Sequence, residues 1–410
     1  MQKSNWGILW VAFIAGVVAT FVQFSIPPVL PLIQSTYNVS YTGSASLMSL
    51  FALMTLLSAV FGGFIVQRFG VRIIGLLGLG ILFGGVVCIL FADSFAFILF
   101  SRLLQGLGFG LVSVAAPSAI GQFITPKMMS IAMGIWSTWI PLGSFIMFLL
   151  APVIVTSFPI HVYWISILVI LFLSLFLYGK FIPGLRIERM LTSKEEVPRL
   201  PKEAIKEELK NRHVWTAATA FAGFTFMLFS FNTWISTYLV ETSSMSLIDA
   251  AIIPSIIAII MVASNLYAGF LLKKFNHHLI LFFLPPLLMA LLWPMFLLNS
   301  IEWYYINAVI LGLVGGFLPT IVFASAPLLA TRKETIGIAM SIVIIGENTG
   351  ILIGPEIFGF VREITGQYII PFWILLVVGI VTAIATIYLH RSWDKAVKIE
   401  QTKTQDNIVM

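Results

Sequence analysis

The chain has 410 residues, 59% of them hydrophobic and only 10% charged, with a net charge of +6. Water-soluble domains run near a quarter charged, so this composition and a mean hydropathy of +1.03 exclude an ordinary soluble domain and call for a second solvent. A single cysteine, Cys88, excludes an internal disulfide and a thiolate metal cluster. A helix needs about 20 apolar residues to cross roughly 30 Å of hydrocarbon. Strands of a membrane barrel would alternate polar and apolar residues. The runs here are continuously apolar, so they read as helices.

Twelve apolar segments follow in chain order, over roughly 6–33, 43–66, 72–92, 95–122, 130–153, 161–182, 213–240, 247–272, 278–299, 302–330, 336–360 and 369–390. The first reaches Pro31 with no small-residue cleavage pattern, so it reads as a span and not as a removed signal. It carries Gln23 near its middle, with Pro27, Pro28 and Pro31 as predicted kinks. The second ends in a basic turn after Gly63. The fourth holds Arg102. The fifth holds Trp136 and Trp139, with a further kink predicted at Pro141. Paired small residues, Gly62-Gly63 and Gly315-Gly316, predict close helix contacts. Residues 183–212 are dense in charge and contain three prolines, which marks a linker. Lys202–Lys210 has the composition of a surface helix, with Lys206 and Lys210 following glutamates at helical spacing. The seventh span holds Asn232 and Trp234, and the eleventh holds Glu347 and Glu356. The expected organisation is a six-helix bundle over 1–182, a cytoplasmic linker over 183–212, a second six-helix bundle over 213–390 and a cytoplasmic tail over 391–410.

Charge placement predicts the orientation. With both termini in the cytoplasm, every Lys and Arg except Arg102 and Arg362 falls on the cytoplasmic side. That is the positive-inside asymmetry for an even number of spans. The positive net charge is thereby explained as a topology device and not as nucleic-acid binding. The opposite side carries Asp93, Glu241, Asp249, Glu302 and Glu363 against the single Arg362.

The chain also repeats itself. Gly63-Phe-Ile-Val-Gln-Arg-Phe-Gly-Val-Arg72 lies over Gly269-Phe-Leu-Leu-Lys-Lys-Phe-Asn-His-His278 at an offset of 206. At an offset of 207, Ile131-Ala-Met-Gly134 lies over Ile338-Ala-Met-Ser341, Gly108 over Gly315, and Ser118-Ala119 over Ser325-Ala326. Two halves in the same orientation are the pattern of a transporter built from parallel repeats.

These residues resemble the major facilitator superfamily over nearly the whole chain. Its signature after the second span is matched at Gly63, Arg68, Gly70 and Arg72, with Gln67 in place of the acid and Val71 in place of a basic residue. The fourth-span signature is intact as Arg102, Gln105, Gly106 and Gly108, and Gly350-x-x-x-Gly354-Pro355 is similar to the eleventh span of such proteins. The resemblance implies an all-α fold of two pseudo-symmetric six-helix bundles. Spans one, four, seven and ten would line the path, and the motif Gly63, Gln67, Arg68, Gly70 and Arg72 would gate it. Gln67 removes the acid by which family members are thought to latch that gate. The fifth span, Gly134-Ile-Trp-Ser-Thr-Trp-Ile-Pro-Leu-Gly143, departs from the pattern of drug–proton antiporters, which favours uptake or symport.

Ionisable groups in hydrocarbon cost about 3 kcal/mol or more, so they mark candidate sites. Arg102 lies about 10 Å below the outer surface, Glu347 about 16 Å from the inner one, and Glu356 roughly 30 Å along its span at the outer edge. Arg102 has two readings. Its guanidinium could hold an oxyanion through paired hydrogen bonds, or it could bond backbone carbonyls and fix the packing. Glu347 also has two: a carboxyl that loads and releases a proton as access alternates, or a structural acid beside Asn348. Gln23, Asn232, Trp234, Trp136 and Trp139 are candidate solute contacts, with helix packing as the alternative for each.

No phosphate-binding loop and no His-Glu-x-x-His are present, so neither an ATPase nor a zinc hydrolase is expected. The expected function is proton-coupled secondary transport of a small organic solute, with an anion favoured by Arg102. The acidic outer side keeps proton-driven efflux of cationic or neutral compounds as the alternative. An integral-membrane enzyme or sensor is the remaining class. No cofactor or metal is expected, and the partners are a small-molecule substrate, protons and lipid. The protein is expected to act as a monomer in the plasma membrane of a prokaryote.

Overall fold

The computed structural model describes residues 5–184, 201–275, 278–332 and 335–409. Among them every element is helical. Twelve helices are long and apolar enough to cross a membrane: Trp6–Tyr37, Tyr41–Ala59, Val71–Leu90, Phe95–Phe123, Ile131–Ser157, Ile160–Phe181, Arg212–Ser243, Leu247–Leu272, Leu279–Leu298, Ile301–Leu329, Ile336–Thr365 and Ile369–Ala396. These are the twelve segments predicted, displaced by a few residues at their ends. Twelve crossings bring both chain ends to one end of the bundle, called the terminal end below; the other is the far end. Most of 391–410, expected as a tail, continues the last helix, which runs over Ile369–Val409. That stretch has neither glycine nor proline to stop it.

Prolines break four spans, each for the same reason. Proline lacks an N–H and crowds the carbonyl four residues earlier. The first helix stops at Gln23, passes through a 3-10 turn at Pro27–Val29 and resumes over Leu30–Tyr37. The fifth breaks between Trp136 and Trp139, four residues before the ring of Pro141. In the ninth, the α-helix stops at Leu292 and a 3-10 turn begins at Pro294. The tenth breaks at Gly316, just before Pro319.

The two halves pack in the same pattern. In the first, span two pairs with four, one with five, and three with six; in the second, eight pairs with ten, seven with eleven, and nine with twelve. Small residues allow these approaches. A Cβ on Gly106 would stand 2.2 Å from the carbonyl oxygen of Phe51, and one on Gly346 2.2 Å from that of Ala218. Gly350 and Gly354 press in the same way on Ala222 and Phe226. Spans seven and eleven are therefore joined along a row of glycines spaced by four. Without a hydrophobic force between helices in lipid, such backbone contact supplies much of the attraction. Between the halves, span two packs on eleven and span five on eight.

The predicted surface helix is present as Lys202–Leu209, and it is docked on the second half. Glu208 is fully buried. Its carboxylate accepts from the Thr331 amide at 2.7 Å, the Thr335 hydroxyl at 2.6 Å and the Asn211 amide at 3.0 Å. Arg332 pairs with neighbouring Glu207 at 3.0 Å. Burial pushes the Glu208 carboxyl up, but the hydrogen bonds from Thr331, Thr335 and Asn211 outweigh it and hold the group below the usual carboxylate range. A depressed folded-state pKa stabilises the fold above the unfolded value, and that contribution is lost as pH falls through the folded one. Glu208→Gln is thus expected to cost roughly 2 kcal/mol at neutral pH. Unfolding midpoints in detergent should separate the variant from wild type at pH 7 and converge in acid.

Candidate functional site

Arg102 is fully buried near the far end of span four. Its Nε donates to the Leu47 carbonyl at 2.9 Å, and its Nη1 to the Val22 carbonyl at 3.0 Å and the Gln105 side chain at 2.6 Å. Its Nη2 donates to the Gln23 carbonyl at 3.3 Å and faces the Met48 sulfur at 3.7 Å. The guanidinium also lies 4.3 Å from the ring centre of Phe51. Every donor therefore meets a protein acceptor. The prolines explain why this is needed. Pro27 has no N–H to give the carbonyl of Gln23, four residues before it, so that carbonyl is left in hydrocarbon without a helical partner. Arg102 supplies the missing donor and ties spans one, two and four together. The structure thus brings Gln23 and Arg102 into contact, through the backbone of Gln23. The side-chain Oε1 of Gln23 and the Nε2 of Gln105 are buried beside it without hydrogen-bond partners.

Glu347 is half-buried on span eleven, one residue past the Gly346 contact. Its backbone carbonyl accepts from the Thr225 hydroxyl at 2.8 Å. Ser49 of span two donates to the Leu352 carbonyl at 2.9 Å, and Thr55 to the Gly106 carbonyl at 3.2 Å. Counting along the antiparallel spans two and eleven puts Glu347 near the level of Thr55 and Gly106. Arg102 then stands about one turn nearer the far end.

The other candidates divide between the halves. Trp136 and Trp139 stack on each other at 4.8 Å, and Trp139 stacks on Phe109 at 5.4 Å. Both indoles press on Gly16 of span one. Trp234 is fully buried, donates to the Pro355 carbonyl at 3.0 Å and stacks on Phe358. Asn232 is buried about two and a half turns below Glu241 on span seven. Glu356, placed by its depth at the outer edge, is half-buried.

Hydrogen bonds between the halves, among the described residues, lie toward the far end. Arg362 of span eleven is the centre of that seal. Its guanidinium lies between the rings of Tyr41 and Tyr368, at 4.6 and 4.5 Å from their centres. Within the second half it bonds Glu241 of span seven at 3.3 Å, and across to the first half it bonds the Tyr41 hydroxyl at 3.2 Å. Tyr41 in turn donates to Glu241 at 2.8 Å, Tyr368 donates to it at 2.9 Å, and the Thr42 amide donates to Glu363 at 2.8 Å. Burial among Glu241 and Tyr41 pushes the Tyr368 phenol far above its usual range, so it remains a donor. Sequence reasoning noticed Arg362, Glu241 and Glu363 as far-side charges. It missed Tyr41 and Tyr368, which look like ordinary interfacial aromatics.

At the terminal end the motif residues stay within the first half. Gly70 has φ +83°, a conformation that favours glycine, and it turns the chain from span two into span three. Arg72 donates to the Gly179 carbonyl of span six. Arg68 is exposed. The burial of Gly63 and the side chain of Gln67 lie outside what is described. Among the described residues no group of three His, Cys, Asp or Glu converges as a metal site.

Twelve membrane-length helices in two halves of matching pairing define a polytopic membrane protein of transporter architecture. Residues 12–335 match the Major Facilitator Superfamily profile, and the chain belongs to that family. The family places it among transporters and not among enzymes. It is 23% identical over 382 residues to a hexuronate transporter of Bacillus subtilis (strain 168), spanning 90% of each chain. It shares the fold of a bacterial homologue of the human lysosomal transporter Spinster, solved inward-facing and unoccupied (TM-score 0.75, 15% identity, 95% and 97% of the two chains). It also shares the fold of a POT family transporter solved with a thioalcohol-conjugated peptide (TM-score 0.74, 16% identity, 92% and 94% of the two chains).

Proposed function

We propose that the chain carries a small organic anion across the plasma membrane by proton-coupled alternating access, with Glu347 as the proton-loading group. The observation that carries this reading is the placement of Glu347, a half-buried carboxyl mid-way along span eleven, on the helix that also bears Arg362. An acid in hydrocarbon is costly unless it serves a function or is paired. Both termini lie in the cytoplasm, the far end faces outward, and the bodies that rock are residues 1–182 and 213–390, joined by the linker 183–212. The chain works as a monomer. Similarity to a hexuronate transporter supports a sugar-acid-like solute. Beside Arg102, the unpartnered Oε1 of Gln23 and Nε2 of Gln105 are the atoms that would meet its hydroxyls and oxyanion once the halves part. Trp136, Trp139, Asn232 and Trp234 shape the walls. Arg68, Gly70 and Arg72, with Gly63 and Gln67, act at the inner gate.

One observation favours a second reading. Arg102 spends its donors on protein acceptors, which leaves neutral or cationic solutes, and efflux, in contention. Purified protein in liposomes separates the two. An imposed proton gradient should drive accumulation of a hexuronate, and Glu347→Gln should abolish that accumulation while preserving solute exchange at equal pH. Gradient-driven accumulation that survives in the variant overturns the role of Glu347. Movement of cations alone supports the second reading.

A further inference from the structure

The terminal end carries a second site, away from the path between the halves. Spans seven and twelve enclose a cavity of about 700 Å³ there. Arg212, Arg391 and Lys395 contribute three cations to its wall, and among the described residues no acidic side chain lines it. Trp215 and Tyr388 form its apolar sides, and Thr216, Thr219 and Ala385 form its inner part. The walls are held in place. His213 meets the Ser392 hydroxyl at 2.7 Å across the two helices, and the Trp215 indole donates to the Leu209 carbonyl at 2.8 Å.

The order of chemistry along the cavity is informative. Arg212 and Lys395 sit toward the water, and Thr219 and Ala385 lie about 10 Å and 15 Å further along their helices. A cationic mouth therefore leads into an apolar cleft running in the direction of the spans. Trp215 is 41% exposed and Tyr388 56% exposed, so the cleft opens sideways on the bundle surface. Such aromatics belong at the headgroup level of a bilayer. A soluble solute would gain nothing from an apolar cleft open to hydrocarbon. A molecule with a phosphate head and an acyl tail would fill both parts.

We propose that this cleft is a binding site for an anionic phospholipid, its headgroup phosphate held by Arg212, Arg391 and Lys395 and one acyl chain lying along Tyr388 and Ala385. Basic pockets between membrane helices hold acidic headgroups through charge attraction and hydrogen bonding. A lipid seated here would bridge spans seven and twelve at the end where the second half meets the docked linker helix.

The test uses the full-length protein in detergent, with phosphatidylglycerol, phosphatidylcholine and inorganic phosphate as separate probes, read by native mass spectrometry and by the unfolding midpoint. Phosphatidylglycerol should be retained and should raise the midpoint, and phosphatidylcholine and inorganic phosphate should do neither. The double variant Arg391→Ala/Lys395→Ala should weaken phosphatidylglycerol retention roughly tenfold or more. Its midpoint without lipid should match wild type, because both side chains are exposed. Lys180→Ala, at an exposed cation on the first half, should change nothing. Equal retention of the two lipids, undiminished retention in the double variant, or a shift with inorganic phosphate alone each overturns the proposal.

Discussion

Arg102→Ala is expected to destabilise the protein by roughly 3–5 kcal/mol, seen as a lowered unfolding midpoint and reduced recovery of folded protein. The substitution strands the buried Gln23 carbonyl and takes the guanidinium bonds, at 2.9 and 3.0 Å, from the Leu47 and Val22 carbonyls, which keep other donors. Each buried polar group left unpaired costs about 1–3 kcal/mol, and water cannot compensate in hydrocarbon. The contact with the Phe51 ring is lost too. Arg102→Lys should not rescue the protein. An ammonium is a point charge on a flexible stem and cannot reach three carbonyls on two helices in the way the planar fork does. Solute binding per folded molecule is the second measurement. A variant of normal stability that fails to bind solute would overturn the structural role and restore Arg102 as a direct solute ligand.

Weakening the far-end seal should act on conformation more than on folding. Of the contacts of Arg362, the ion pair with Glu241 and the Tyr368 ring lie within the second half, and the bond and ring contact to Tyr41 cross to the first. Arg362→Ala removes the two that cross, worth roughly 1–2 kcal/mol. At 1.4 kcal/mol per factor of ten, the balance should move about tenfold toward the state open at the far end. Spin labels at Ser40→Cys and Gln367→Cys, with Cys88→Ser as background, report it directly. Both positions are exposed at the far end, one on each half. The short distance of the sealed state should give way to a longer one, and solute transport should fall. Arg362→Lys keeps the charge but not the flat group between two rings, so it should recover part of the effect. An unchanged distance distribution in Arg362→Ala would show that the seal does not set the balance.

Much of this was legible in the sequence because the membrane imposes so few choices. Continuous apolar runs, the basic linker and the offset repeat define twelve helices in two halves before any contact is known. Depth along each span was also legible for Arg102 and Glu347. Partners were not. The backbone acceptors of Arg102 come from spans one and two, and one of them is free to accept only because Pro27 follows it at a distance of four. Glu208 read as one charge in a solvated helix, and its burial depends on a turn more than 120 residues away. Tyr41 and Tyr368 acquire their role from Arg362 lying between them. The glycines at 346, 350 and 354 were half-read, since the Gly350 and Gly354 pair was seen without its third member.

That glycine row has a mechanical consequence. Because spans seven and eleven touch backbone to backbone along it, they behave as a single stiff beam with Glu347 near its waist and Arg362 at its tip. Fifteen residues of helix separate the two, about 22 Å. A tilt of about 10° pivoting at Glu347 swings the tip by about 4 Å, more than the whole length of the bonds by which Tyr41 and Thr42 hold the far end shut. With Glu347 as the proposed proton-loading group, a charge gained or lost at the waist needs only a slight change of helix angle to be felt as an open or closed mouth.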